Sequence, residues 1–297
     1  MEKPDVKIPL LEQPVLEKIA RKCLDIPYAA QSVSQKLDLY YPETGGGPFP
    51  LVVHVHGGAF MFGTKRDCNL KPMLRVLERG YALASVEYRL SGEARFPAPV
   101  YDCKAAIRFL RANAARYRLD AARIGIWGPS AGGYLAAMVG ATNHSPAFED
   151  LSMGNAWESS AVQAVVDWCG PCGDFTHMDR QIRENGIGDD DHDDPCSPES
   201  RLLGHAIQQV RELSRLAAPV THVSRQCPPF LIHHGEADPI VPVQQSLCLS
   251  AAVRAAAGEG NVTLRTFPGR GHHGQPWYEE PALTKEVLDF LDIYLKK

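Results

Sequence analysis

Arg123-Ile124-Gly125-Ile126-Trp127-Gly128-Pro129-Ser130-Ala131-Gly132-Gly133-Tyr134-Leu135-Ala136-Ala137 reads as a short apolar strand, a serine flanked by glycines, and an Ala-rich run of good helix formers. A serine on a sharp strand-to-helix turn has a strained backbone, and its hydroxyl must stand clear of the sheet edge. Its neighbours on both sides must therefore be small. Gly128 and Gly132 meet that need. A plain helix N-cap serine after a loop fits the same string, so the choice between nucleophile and cap rests on the rest of the chain.

Strand and helix patterns alternate on both sides of this stretch. Upstream, residues 36–41 alternate with strand period, 51–56 form a buried-type strand running into Gly57-Gly58-Ala59-Phe60, and 70–79 are helical up to Gly80. Residues 81–88 are the next apolar strand, 99–117 repeat apolar residues at helical spacing, and 120–123 turn into the opening strand. Downstream, 162–168, 230–234 and 263–267 read as strands, with 244–257 and 281–295 as helices. The alternation predicts an α/β fold with a mostly parallel central sheet and helices on both faces.

The length of 297 residues suits one α/β domain over 1–297. Two attachments are expected. Residues 1–30, amphipathic at 14–23 and broken at Pro27, form a cap-like segment. Residues 173–219, irregular and acidic over 174–198 and helical over 202–216, form an insertion over the cleft. The acidic run Asp189-Asp190-Asp191-His192-Asp193-Asp194 lacks the central glycine and twelfth-position glutamate of an EF-hand, and is expected as a solvated loop.

A hydrophobic fraction of 44%, a charged fraction of 22% and a net charge of −4 are ordinary for a globular protein and offer no basic face to nucleic acid. No run approaches the ~18 apolar residues of a membrane span. The N-terminus has early acids and no apolar h-region, which points to a cytoplasmic protein. No nucleic-acid partner and no membrane span are expected, with room for a homodimer. Eight cysteines are spread too thinly for a disulfide-stapled domain, so most should be buried thiols. Trp168-Cys169-Gly170-Pro171-Cys172 matches the thioredoxin string, but a polar, Asp-rich loop follows it where a thioredoxin would open a long helix. A redox role for Cys169 and Cys172 is therefore the lesser reading.

In parallel α/β sheets, working residues sit on loops at the carboxyl ends of strands. Four such loops carry matched chemistry here: Ser130, Asp238, His272 and the Gly58-Ala59 turn. A serine hydroxyl is a weak nucleophile until a histidine takes its proton, and a buried carboxylate must orient and stabilise that histidine. The order Ser, Asp, His is the order of α/β-hydrolases. Glu236 competes with Asp238 as the acid, and His273 competes with His272 as the base. His54 and His56 are read as facing opposite sides of a strand, so no two-histidine metal clamp is expected.

His56-Gly57-Gly58-Ala59-Phe60, Glu87-Tyr88-Arg89-Leu90, Gly128-Pro129-Ser130-Ala131-Gly132-Gly133, His234-Gly235-Glu236-Ala237-Asp238 and Gly269-Arg270-Gly271-His272 together resemble the α/β-hydrolase esterases of the hormone-sensitive-lipase-like group. The branch resembled most is the bacterial acetyl xylan and feruloyl esterase-like proteins. The likeness runs from Lys36 to the C-terminus and implies an α/β-hydrolase fold, a small-molecule ester substrate as partner, and hydrolysis of short-chain acyl esters without a metal or organic cofactor. It also implies Ser130, Asp238 and His272 as the catalytic set, and Gly58, Ala59 and Ala131 as oxyanion donors. Carbohydrate acetyl or feruloyl esterase and arylformamidase activities use the same triad. Phe60, Phe62, Trp168, Phe175, Trp277 and Tyr278 lie on nearby loops and either line an apolar pocket or pack in the core. Two positions depart from the pattern: Pro129 stands where relatives carry a polar residue, and Ala59 replaces a third glycine.

Overall fold

The computed structural model describes residues 12–273 and 276–296. Eight strands, β1 (Lys22–Pro27), β2 (Lys36–Tyr40), β3 (Phe49–Val55), β4 (Ala82–Val86), β5 (Leu119–Pro129), β6 (Ala164–Trp168), β7 (Phe230–Gly235) and β8 (Val262–Phe267), form one sheet in the order β1-β2-β4-β3-β5-β6-β7-β8. β1 and β2 are antiparallel, and the pairs from β4–β3 through β7–β8 are parallel. The parallel strands read as continuous apolar runs because both of their faces are covered.

Alternate residues of each central strand feed two separate cores. Leu51, Val53, Ile126, Val165 and Ile232 pack on one face, while Val52, Trp127, Val166 and Leu231 pack on the other. The first face is covered by α2 (Ala98–Ala112), α4 (Ala131–Ala141) and α8 (Gln244–Ala257). The second is covered by α1 (Leu70–Met73) and α9 (Pro281–Leu295). The remaining α-helices are α3 (Ala114–Tyr117), α5 (Met178–Asn185), α6 (Pro198–Leu203) and α7 (Arg211–Ala217).

The N-terminal and inserted segments depart from expectation. The amphipathic stretch at 14–23 holds only a short 3-10 turn, Leu16–Lys18, and residues 22–27 of the presumed cap join the sheet as its antiparallel edge strand. Pairing with β2 supplies the backbone partners that a short isolated helix would lack. The part of that segment over residues 1–11 lies outside the described residues. In the insertion, the stretch 174–198 contains α5, and the helix expected over 202–216 is split into α6 and α7. Gly204 ends α6 with φ 79°, a left-handed cap that a continuous helix does not accommodate. Among the described residues, no helix is long and apolar enough to cross a membrane.

Candidate active site

β5 delivers Ser130. Pro129 is the last residue of that strand and pairs with Trp168 of β6, and the Ser130 N–H donates to the Trp168 carbonyl at 2.7 Å. The missing N–H of Pro129 therefore leaves the anchor of the turn intact. Ser130 itself sits at φ 54°, ψ −122°, a strained position for a side-chain-bearing residue. A Cβ on Gly128 would lie 2.3 Å from the Gly132 carbonyl, and one on Gly132 would lie 2.1 Å from the Val55 carbonyl oxygen. Both glycines are thus forced by close backbone approach, as the strained serine requires.

β7 and β8 deliver the other two groups. His272 Nε2 lies 2.9 Å from Ser130 Oγ, and His272 Nδ1 lies 2.6 Å from Asp238 Oδ2. An ionised carboxylate only accepts, so Nδ1 carries a proton, and in the neutral ring Nε2 presents its lone pair to the serine hydroxyl. Asp238 is 2% exposed, His272 5% and Ser130 7%. Burial penalises the ionised Asp238, but the facing charge of His272 outweighs it and holds the carboxyl below the usual carboxylate range. Burial likewise disfavours protonated His272, and the charge of Asp238 overcomes it, raising the imidazole above the ordinary histidine range.

Asp238 is fixed from two sides. Its Oδ1 accepts from the N–H groups of Ile240 and Val241, each at 2.9 Å. Buried His234 lies 3.4 Å from Oδ2, with its own ring held between Ser246 Oγ and the Val241 carbonyl. Glu236, the competing acid, is exposed and accepts instead from Thr266 Oγ1 at 2.7 Å. The His273 ring packs 4.5 Å from that of His272 and lies outside the serine-histidine-aspartate chain.

The turn expected to hold the oxyanion follows β3. Gly58 has φ 114°, and Ala59 and Phe60 follow at φ 53° and 60°. The Gly58 carbonyl is tied back by the N–H groups of Met61 and Phe62 at 2.9 and 3.0 Å. A Cβ on Gly58 would overlap the Phe62 carbonyl at 2.1 Å, so only glycine fits. Among the described residues, the N–H groups of Gly58, Ala59 and Ala131 carry no hydrogen bond, which leaves three backbone donors free. His56 props this turn by stacking on Tyr88 at 4.4 Å while Nδ1 donates to the Gly57 carbonyl at 2.7 Å.

Residues two apart on a strand share a face, so the opposite-face reading of His54 and His56 is corrected. The two rings are instead held separately, with His54 Nδ1 on Ser85 Oγ at 2.9 Å. Burial pushes His54 down to about 3 and keeps it neutral.

The aromatic set is mainly packing. Phe60 and Phe175 are buried against Tyr134, and Trp168 is buried between Trp127 and Tyr278. Trp277 is buried on Tyr278 and Phe267. Phe62, at 60% exposed, is the one of these six aromatics that is exposed. A groove of about 880 Å³ lined by Val15, Ile19, Tyr41, Leu74 and Leu77 shares no residue with the serine site.

His234 and Cys169 were not singled out as site residues by sequence. His234 stands four positions before Asp238 at the end of a buried strand, a spacing that could have marked it as a buttress. Cys169 drew notice only through the thioredoxin string, yet it lies beside His272 and Asp238. Cys172 belongs to the other core and approaches Asp167 Oδ2 at 3.4 Å, so both thiols are free and buried.

A parallel sheet carrying a strained serine, a buried aspartate and a histidine on successive strand-end loops defines the α/β-hydrolase class. The sequence model of the BD-FAE family matches residues 37–253, and the chain belongs to that family. Among curated proteins, it is 32% identical to the esterase LipQ of Mycobacterium tuberculosis over 93% of this chain and 63% of that protein. It is 31% identical to the esterase LipC of the same organism over 76% of this chain and 53% of LipC. The chain thus spans between half and two thirds of the length of these relatives. Among solved structures, a truncated carbohydrate esterase from gut microbiota superposes with TM-score 0.82 at 30% identity, over 96% of this chain and all 100% of that one. A bifunctional GH43-CE protein of Bacteroides eggerthii superposes with TM-score 0.80 at 35% identity, over 92% of this chain and 35% of that one.

Proposed function

We propose that this chain is a serine carboxylesterase that hydrolyses short-chain acyl esters, acetyl esters among them, through an acyl-enzyme at Ser130. The observation that carries the reading is His272 bridging Ser130 Oγ at 2.9 Å and Asp238 Oδ2 at 2.6 Å. As Ser130 Oγ attacks the ester carbonyl carbon, its proton passes to His272 Nε2, and Asp238 stabilises the resulting imidazolium. The negative charge on the former carbonyl oxygen is met by the N–H groups of Ala131, Gly58 and Ala59. Collapse of the tetrahedral species breaks the ester bond, and the leaving alcohol takes the proton from Nε2. Water then repeats the sequence on the acyl-enzyme, with His272 as base, and releases the acid and free Ser130. Each proton is accounted for by the chain, the substrate and water.

The carbohydrate esterase names of the two similar structures support a second reading on the alcohol side, an acetyl group carried on a sugar. Hydrolysis of p-nitrophenyl acetate, butyrate and octanoate, and of an acetylated xylo-oligosaccharide, tests both. Wild-type turnover is expected to fall from acetate to octanoate, and Ser130→Ala to lower the chemical step about a million-fold. Ester turnover that survives Ser130→Ala overturns the assignment. Release of acetate from the oligosaccharide separates the second reading from the first.

A further inference from the structure

The carboxyl ends of β6, β7 and β8 bring a thiol to the histidine-aspartate pair. Cys169 follows β6 directly, and the Cys169 sulfur, an Asp238 carboxylate oxygen and a His272 ring nitrogen all lie within 4.8 Å of one another. All three residues are buried. The thiol is held in place as firmly as its neighbours. Its residue sits at φ 48°, its N–H donates to the His233 carbonyl at 2.8 Å, and the Tyr278 hydroxyl donates to the sulfur at 3.3 Å. A sulfur that accepts from the phenol keeps its own S–H for the other side. Asp238 has Oδ1 committed to two backbone N–H groups, which leaves Oδ2 as the oxygen facing the histidine.

We infer that Cys169, Asp238 and His272 form an inhibitory site for a soft divalent cation of the zinc class. Thiolate, imidazole and carboxylate are the ligand types zinc takes, at about 2.3, 2.0 and 2.1 Å, in a tetrahedron whose corners lie roughly 3.5 Å apart. Ligand atoms already within 4.8 Å of one another fit after shifts of about an ångström, the 2.6 Å Asp238–His272 pair opening and any longer separation closing. A sulfur and an imidazole together select a soft ion over magnesium or calcium. Charge balance suits the buried setting, since one thiolate and one carboxylate neutralise a divalent ion. The thiol proton leaves to solvent, the carboxylate binds as it stands, and His272 binds through a ring lone pair with its remaining proton on the other nitrogen. The ion replaces the proton shared by Asp238 and His272, so Ser130 loses its base. The inhibitory consequence rests on the proposed roles of Asp238 and His272, whereas binding itself does not.

Binding of Zn²⁺ is measured by competition with a chromogenic chelator for the wild type, Cys169→Ser, Cys169→Ala and Ser130→Ala. Hydrolysis of p-nitrophenyl acetate is followed in a zinc titration, each variant against its own metal-free rate. The wild type is expected to bind one zinc, to lose turnover in parallel with occupancy, and to recover on addition of EDTA. Both Cys169 variants, checked for folding by near-ultraviolet circular dichroism, should bind at least tenfold more weakly and keep turning over at zinc concentrations that silence the wild type. Ser130→Ala retains all three ligands and should bind zinc as the wild type does, so the site is read even if the esterase reading fails. Equal zinc affinity and inhibition in the wild type and both Cys169 variants would place the ion elsewhere, on exposed Cys23, Cys196 or Cys248 for example, and overturn the inference. So would a wild type that binds no zinc.

Discussion

Asp238 is more heavily supported than any other charged group at the site: two backbone N–H groups, His234 and His272 all point at its carboxylate. Asp238→Asn preserves the shape and most of those contacts but presents an amide to Nδ1, which favours the wrong histidine tautomer. Turnover of p-nitrophenyl acetate is expected to fall about 10⁴-fold while the circular dichroism spectrum stays that of the wild type. Wild-type turnover would pass the role to another carboxylate. At the elbow, the expected damage is to folding. Gly132→Ala places a methyl 2.1 Å from the Val55 carbonyl oxygen, an overlap with backbone that no rotamer relieves. A loss of about 3 kcal/mol is expected, read as a lowered urea midpoint, and an unchanged midpoint would mean that β3 and the elbow can separate. That Ser130, Asp238 and His272 come together was legible in sequence, because each stands on a short motif that follows a strand. Cys169 and His234 were not, because nothing local marks a thiol or imidazole whose partner lies in another loop.

Helices α5 and α6 are clasped to the loop that carries Asp238 through His192. The Asp179 carboxylate in α5 accepts the N–H groups of His192 and Asp193 at 2.8 and 3.0 Å. The His192 ring then bridges Glu199 Oε2 of α6 at 3.1 Å and the Ile240 carbonyl at 3.0 Å. Both ring nitrogens face acceptors, so the ring is a cation. Burial works against that charge, but the Glu199 carboxylate prevails and His192 is raised to about 9. Its unfolded value is about 6.5, so the folded value is the higher one. The stabilisation is therefore complete below about pH 6.5 and is lost as pH rises through about 9. Urea midpoints across pH 6 to 10 are expected to fall for the wild type and to change less for His192→Gln, which should also be less stable at pH 7. Parallel curves would remove His192 from the account. Sequence placed this histidine in a solvated loop because its partners stand 13 and 48 positions away, beyond any periodic signal. By contrast, α8 and α9 were legible to the residue, since Gln244–Ala257 and Pro281–Leu295 carry their own apolar spacing.

Two cores share one sheet, and β5, the strand that leads into Ser130, is pressed between them. On one side α4 packs on β5, while on the other α9 lays Leu291 and Leu295 directly over Gly125, where an added Cβ would lie 3.1 and 3.0 Å from their methyl groups. Gly125 is thus small because α9 fits against it, five residues before the serine. The second core holds Trp127 and Trp168, edge to face at 4.9 Å, with Leu291 fully buried in the same core. Leu291→Ala removes methyl groups from the contact with Gly125, and the rigid sheet beneath limits collapse into the space. A loss of about 2–5 kcal/mol is expected, seen as a lower urea midpoint and a lower melting temperature. The elbow itself is held by the Ser130 N–H on the Trp168 carbonyl and by the glycine contacts with Val55, none of which Leu291 touches. Protein that remains folded should therefore keep the KM and kcat of the wild type for p-nitrophenyl acetate. A variant that retains its midpoint but loses kcat would mean instead that α9 sets the position of Ser130 through β5, and that the second core belongs to the site as well as to the fold.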